Sequence, residues 1–108
     1  MGIIEKMRLD GKKGFVTGGA RGIGKSTATA FAEAGADVAI IDVDFAEAEK
    51  TAADIARETG RKVIAIKTDC TDPKQVDDMV LQVTKELGGL DFCHNNAGIC
   101  INVPAEEM

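Results

Sequence analysis

The segment TGGARGIG, residues 17–24, joins a short apolar run to a longer amphipathic pattern. The run at residues 13–17 predicts a β-strand, and residues 22–34 predict a helix that stops before Gly35. Glycine allows the left-handed backbone and the close ligand approach that a tight strand-to-helix turn needs. Amides at the start of a helix point outward and the helix dipole favours an anion, so we expect a diphosphate to bind there. The predicted apolar face of this helix holds Ile23, Thr27, Ala30, Phe31 and Ala34.

The rest of the chain repeats this alternation of apolar runs and helical patterns. Three further strands are predicted, at residues 37–42, 63–67 and 90–95. Two further helices are predicted, one between Asp44 and Gly60 and one between Asp72 and Gly88. The order βαβαβαβ predicts an α/β fold, a three-layer Rossmann-type parallel sheet with strand order 3-2-1-4 that is partial within this chain.

Both later helices begin with capping signals. Asp44 stands three residues before Glu47, which is a capping-box spacing. Asp72 is followed by Pro73 at the first helical position, and we expect Gln75 to reach back toward the cap. The predicted apolar face of the second helix holds Phe45, Ala48, Ala52, Ile55 and Ala56.

Composition limits the possible function. The 108 residues suffice for one domain but not for two mononucleotide-binding halves with a substrate region, so residues 1–108 are expected to form a single domain. A net charge of -5 without a basic run argues against nucleic acid or an anionic membrane as a partner. The start MGIIEKMRL lacks a signal-peptide core, and the three cysteines follow no metal-ligand spacing. We therefore expect a cytoplasmic protein without a metal site.

The glycine segment alone leaves more than one interpretation open. GARGIGKS, residues 19–26, also fits a Walker A loop, in which Lys25 and Ser26 would bind a nucleoside triphosphate and Mg²⁺. A tight turn without any ligand is a further possibility. Asp42 favours a dinucleotide, because it ends the second strand 18 residues after Gly24, close to the spacing of about 20 for a ribose-binding acid.

Three features together resemble the short-chain dehydrogenase/reductase family: TGGARGIG, Asp42, and Asn95-Asn96-Ala97-Gly98 after the fourth strand. The resemblance extends from about Met7 to the end of the chain. It implies that the pyrophosphate and the nearby ribose are bound by Gly18, Arg21, Gly22, Ile23 and Gly24. It implies that Asp69 and Cys70 lie against the adenine ring, and that Asn96, Ala97 and Gly98 contact the cofactor. For Asn95 a structural role is expected.

Asp42 favours NAD over NADP. A carboxylate about 4 Å from one charge of a 2′-phosphate is opposed by roughly 4 kcal/mol at an effective dielectric constant near 20. Asp44 adds negative charge and no arginine follows Asp42, while Arg21 is the one basic group that could soften the preference. NAD is therefore the expected cofactor.

The residues that perform chemistry in the resembled family are missing from this sequence. That family uses a tyrosine, a lysine four residues later and a serine, whereas this chain contains no tyrosine. We expect no catalytic residue here and a domain truncated before the catalytic region. His94 and the cysteines Cys70, Cys93 and Cys100 are expected to be packed rather than reactive.

Two functions remain open for the complete protein, besides the P-loop NTPase that the Walker A interpretation predicts. The first is an NAD-dependent alcohol or ketone oxidoreductase, which the resemblance implies together with homo-oligomers. The second is an inactive module that binds NAD or associates with a partner. The fourth strand, with Leu90, Phe92 and Cys93, is expected to form a sheet edge that needs coverage.

Overall fold

The computed structural model describes residues 9–20 and 22–95. The predicted order βαβαβαβ is confirmed, with the elements β1 (Lys13–Thr17), α1 (Gly22–Glu33), β2 (Asp37–Asp42), α2 (Phe45–Thr59), β3 (Val63–Lys67), α3 (Pro73–Leu87) and β4 (Phe92–Asn95).

The four strands form one parallel sheet in the predicted order β3-β2-β1-β4. The chain leaves β1 toward β2 on one side and later returns to place β4 on the other side. The carboxyl ends of β1 and β4 therefore flank a topological switch point, where open α/β sheets bind their ligands. The turn that follows β1 lies at this crevice.

Two apolar clusters cover the faces of the sheet and make it the middle of three layers. On one face α1 and α2 pack against the sheet, with Val16, Val38 and Ile40 fully buried. On the other face α3 packs against Phe15 and Ile41. Alternate residues of β1 and β2 point to opposite layers, which explains why their sequences are continuously apolar.

The predicted apolar face of α1 is confirmed at Phe31, which packs against the core, and at Ala34, which is buried, but it is wrong at the start of the helix. The buried residues of this helix are Gly24, Ala28 and Ala32, whereas Ile23 is 74% exposed. Small residues bring the helix close to the sheet and to the glycine turn, and this packing overrides the pattern of larger side chains. Ile23 consequently lies on the surface at the start of the helix.

The fourth strand starts at Phe92 rather than at residue 90. The backbone N–H of Asp91 donates to the carbonyl of Lys13 at 2.6 Å, but the N–H of Lys13 donates to the Asp91 carboxylate at 2.9 Å. A side chain thus replaces the first backbone partner of the strand. Regular pairing begins one residue later, with Gly14 opposite Phe92.

Asp44 and Asp72 cap α2 and α3 as predicted. Gln75 bonds to the side chain of Asp72 and to the backbone of Asp69. The Asp44 carboxylate accepts from the N–H of Glu47, and that of Asp72 accepts from Lys74. Gln75 does reach back, donating to the Asp72 carboxylate at 3.2 Å and accepting from the N–H of Asp69 at 2.9 Å. Within residues 9–20 and 22–95, no helix has the length and apolarity to cross a membrane.

Candidate functional site

The glycine turn is attached directly to the end of β2. The N–H groups of Gly18 and Gly19 both donate to the carbonyl of Ile41, at 2.7 and 3.4 Å. Gly18 and Gly22 have φ angles of +65° and +63°, a left-handed conformation that other residues rarely adopt. The turn therefore needs glycine at positions 18 and 22. Its hydrogen bonds to Ile41 place it beside Asp42, the next residue.

Gly22 and Gly24 serve the turn in different ways. A Cβ at Gly22 would meet no atom within 4 Å, so this glycine opens onto free space at the start of α1. A Cβ at Gly24 would overlap the carbonyl oxygen of Gly18. Gly24 thus allows the helix to pack on the turn, while Gly22 places no side chain at the start of the helix, where an anion is favoured.

Asp42 lies against the glycine turn, as a dinucleotide site requires. One carboxylate oxygen accepts from the N–H of Ala20 at 3.3 Å, and the other accepts from the N–H of Asp44 at 3.1 Å. Each oxygen has two lone pairs, so each keeps capacity for another donor, such as a ribose hydroxyl. The half-buried Asp42 carboxylate is therefore held in place by backbone N–H groups and can still accept a further hydrogen bond.

Thr51 is a residue of this site that the sequence analysis missed. Its hydroxyl donates to the carbonyl of Ala20 at 2.6 Å, and the residue is 1% exposed. Thr51 stands three residues after Ala48 and four before Ile55, on the buried face of α2. That helical spacing was a signal for a buried hydroxyl, but it could not identify a partner 31 positions earlier.

Asp69 and Cys70 follow β3 at the same carboxyl end of the sheet. The Asp69 carboxylate accepts from the hydroxyl of Thr71 at 2.6 Å and from its N–H at 3.0 Å. These hydrogen bonds hold the pKa of Asp69 below its ordinary value, so the group is an acceptor at neutral pH. Cys70 is half-buried against the α3-side cluster as a free thiol. A contact of either residue with adenine stays a prediction.

Four of the predicted binding residues, Arg21, Asn96, Ala97 and Gly98, lie outside the described residues, as does Cys100. Asn95 ends β4 and pairs with Thr17, which places the start of the NNAG segment at the crevice. His94 is half-buried with its ring centroid 6.1 Å from that of Phe31, in a T-shaped contact. Among the described residues, no group of three or more metal-binding side chains is brought together.

The sheet brings the sequence-predicted residues to one edge. Gly18 follows β1, and Gly22 starts the helix after it. Asp42 is the last residue of β2, and Asp69 lies just after β3 at the same end of the sheet. The fold and this end of the sheet define a Rossmann-type α/β protein with a left-handed glycine turn and a fixed carboxylate beside it.

Comparison with known proteins identifies the family. The sequence pattern of the short chain dehydrogenase family matches residues 12–108. This chain belongs to the short-chain dehydrogenase family of oxidoreductases.

Individual relatives agree with this assignment. The chain is 47% identical over 93 residues to the galactitol 2-dehydrogenase of Agrobacterium fabrum, matching 86% of this chain and 35% of that protein. It resembles the structure of an NAD⁺-bound xylitol dehydrogenase with a TM-score of 0.79 and 35% identity, over 85% of this chain and 35% of that one. It resembles the NADPH-dependent 3-quinuclidinone reductase of Rhodotorula rubra with a TM-score of 0.78 and 33% identity, over the same shares. The chain thus spans about a third of the length of these proteins.

Family membership decides between the two nucleotide-binding interpretations of the glycine segment. Lys25 and Ser26 lie exposed on the first turns of α1. Asp42 is fixed by backbone N–H groups of the glycine turn and of residue 44. The Walker A interpretation is therefore rejected.

Proposed function

We propose that this chain is the cofactor-binding part of an NAD-dependent oxidoreductase that interconverts an alcohol and a ketone. The observation that carries the proposal is the contact between the Asp42 carboxylate and the N–H of Ala20, at 3.3 Å. It unites an acceptor for ribose hydroxyls with the turn that receives a diphosphate. The family of the chain supports the oxidoreductase class.

The described residues divide the work of binding. The open position at Gly22 and the exposed start of α1 at Ile23 would hold the pyrophosphate, while Gly18 gives the turn its left-handed bend and Gly24 lets the helix pack on it. The Asp42 carboxylate would accept the hydroxyls of the adenosine ribose. We extend the site, by family resemblance, to Asp69 and Cys70 at the adenine and to Arg21, Asn96, Ala97 and Gly98.

The nicotinamide of the bound cofactor supplies the hydride acceptor or donor. This chain's own residues bind and orient the dinucleotide at the crevice. The tyrosine, lysine and serine that would transfer the proton lie, in this proposal, in a part of the protein that follows residue 108. In this proposal, residues 1–108 form a single cofactor-binding domain without catalytic residues. The complete protein is a homo-oligomer in the cytoplasm.

Selection of NAD rests on charge at the ribose. The Asp42 carboxylate opposes a 2′-phosphate, and the nearby Asp44 carboxylate adds to that field. Relatives of both cofactor types exist, one with bound NAD⁺ and one that depends on NADPH. The names galactitol 2-dehydrogenase and xylitol dehydrogenase favour a secondary hydroxyl of a polyol as the substrate group.

Cofactor titration of the complete protein tests the proposal. NADH fluorescence should respond on binding with a dissociation constant well below that for NADPH. ATP with Mg²⁺ serves as the control for the rejected nucleotide class and should not compete. Absence of any NADH response, or tighter binding of NADPH, would overturn the assignment of cofactor.

A further inference from the structure

The peptide groups of Ala20 are held from two sides. Its N–H donates to the Asp42 carboxylate at 3.3 Å, and its carbonyl accepts from the Thr51 hydroxyl at 2.6 Å. Ala20 itself is 1% exposed. One residue of the glycine turn therefore connects the end of β2 with the buried face of α2.

Thr51 differs from other helical threonines of this chain in its choice of acceptor. The hydroxyls of Thr29, Thr59 and Thr84 each donate to the carbonyl four residues earlier in their own helix. That local bond is the usual one for threonine in a helix. Thr51 instead donates out of α2 to the turn, which is a tertiary contact with a structural consequence outside the helix.

The surroundings of Thr51 make this contact strong. Its neighbours on the buried face, Ala48, Ala52 and Ile55, are at most 4% exposed and carry no polar side-chain atom. In such apolar surroundings a hydrogen bond is electrostatically stronger than in water, and an unpaired carbonyl is costly. Loss of the hydroxyl would leave the Ala20 carbonyl without this partner and release the turn from α2.

We propose that Thr51 is a positioning residue for the dinucleotide site, acting through Ala20 on the glycine turn and on the Asp42 carboxylate. This inference rests on the proposed function. Thr51 is buried and its hydroxyl donates to the Ala20 carbonyl, so it acts on the cofactor through the turn. Together with the bonds from Gly18 and Gly19 to Ile41, it holds the diphosphate-binding turn at its distance from the ribose-binding carboxylate, so it contributes both to affinity and to the choice of NAD over NADP.

The test compares three variants of the complete protein. Thr51→Val keeps the shape and removes the hydroxyl, and it should raise the dissociation constant of NADH about tenfold and narrow the NADH to NADPH affinity ratio. Thr51→Ser keeps a hydroxyl and should retain most of the wild-type affinity and the ratio. Thr59→Val removes a similar hydroxyl-to-carbonyl bond of 2.8 Å at the far end of α2, and should lower the melting temperature without changing either cofactor constant.

The outcomes separate this inference from the proposed function. Wild-type protein that binds neither NADH nor NADPH overturns the proposed function. Wild-type protein that binds NADH, with Thr51→Val unchanged in affinity and ratio, overturns the inference alone. A Thr51→Ser variant as weak as Thr51→Val also contradicts it. If Thr51→Val does not fold, Thr51→Ala replaces it, and NADH binding within twofold of wild type then counts against a positioning role.

Discussion

Among single residues, Asp42 carries the choice of cofactor. Its carboxylate accepts two backbone N–H groups and faces the position of the ribose in the proposed complex. Asp42→Asn removes the charge but keeps an acceptor, so NADPH binding should strengthen and NADH binding should weaken modestly. We expect the affinity ratio to shift by about tenfold, less than the roughly 4 kcal/mol of unscreened repulsion would give. Fluorescence titration with both cofactors measures the ratio.

A charge control accompanies this variant. Glu86→Gln makes the same change of net charge at the end of α3, which runs back to the opposite end of the sheet. Glu86→Gln should leave the NADH to NADPH affinity ratio unaltered. An Asp42→Asn protein whose NADH to NADPH ratio equals that of Glu86→Gln would remove the carboxylate from the selection of cofactor.

Gly24 is the residue at which packing and binding are inseparable. A Cβ there overlaps the Gly18 carbonyl, so Gly24→Ala must displace the turn from α1, at a cost of about 1 to 3 kcal/mol. Gly60→Ala is the matched control, since its φ is +74° but its Cβ would meet no atom within 4 Å. Thermal unfolding should show loss of stability in both, whereas NADH affinity should fall only in Gly24→Ala. Equal affinities would mean that the turn tolerates the displacement.

At the level of strands and helices, the sequence predicts position better than orientation. The strands β1, β2 and β3 begin and end where predicted, because apolar runs are local signals. Helix caps such as Asp44 and Asp72 are local signals in the same way. The buried face of α1 was predicted only in part, because Gly24, Ala28 and Ala32 are chosen by close approach to the sheet rather than by hydrophobicity. In the site, the spacing to Asp42 predicted its proximity to the turn. The contact of Thr51 is tertiary and leaves no local signal.

The starts of three strands are joined by one carboxylate. Asp37 opens β2 and accepts from Lys13 at 3.0 Å, Arg61 at 3.3 Å and the N–H of Lys62 at 3.3 Å. Burial raises the pKa of Asp37, but the bond to Lys13, the Lys62 N–H and the charges of Lys13 and Arg61 together hold it below the ordinary 3.8. The ionised form is therefore the one that stabilises the folded sheet.

The pH dependence follows from the sign of that shift. A carboxyl with a lowered pKa in the folded state contributes fully above its ordinary value and loses the contribution as the pH falls through the folded value. Asp37→Asn should lower the free energy of unfolding by about 1 kcal/mol near neutral pH, a value reduced by the partial exposure of Lys13 and Arg61. The difference from wild type should shrink below about pH 4.

Denaturant unfolding across this pH range measures the effect. Asp54→Asn is the control, because Asp54 pairs with an exposed arginine, Arg57, within a single helix. Asp54→Asn should lower the free energy of unfolding by less than Asp37→Asn does, as expected for a surface pair. A wild-type to Asp37→Asn difference that stays constant below pH 4 would show that the carboxylate's charge does not hold the strands together.

For the whole molecule, the outer edge of β4 is the decisive feature. In the part of the chain that is described, β4 pairs with β1 and no strand pairs with its other side. Its N–H and C=O groups on that side can pair with another strand, and Phe92 and Cys93 are only half-buried.

A polypeptide limited to residues 1–108 should therefore self-associate increasingly with concentration. The complete protein, in which we propose that following residues cover this edge, should show one fixed oligomeric mass. Light scattering over a concentration series distinguishes the two, with intact mass spectrometry confirming each polypeptide's length. If the 108-residue polypeptide remains monomeric throughout, the coverage that we assign to later residues is not needed to prevent association.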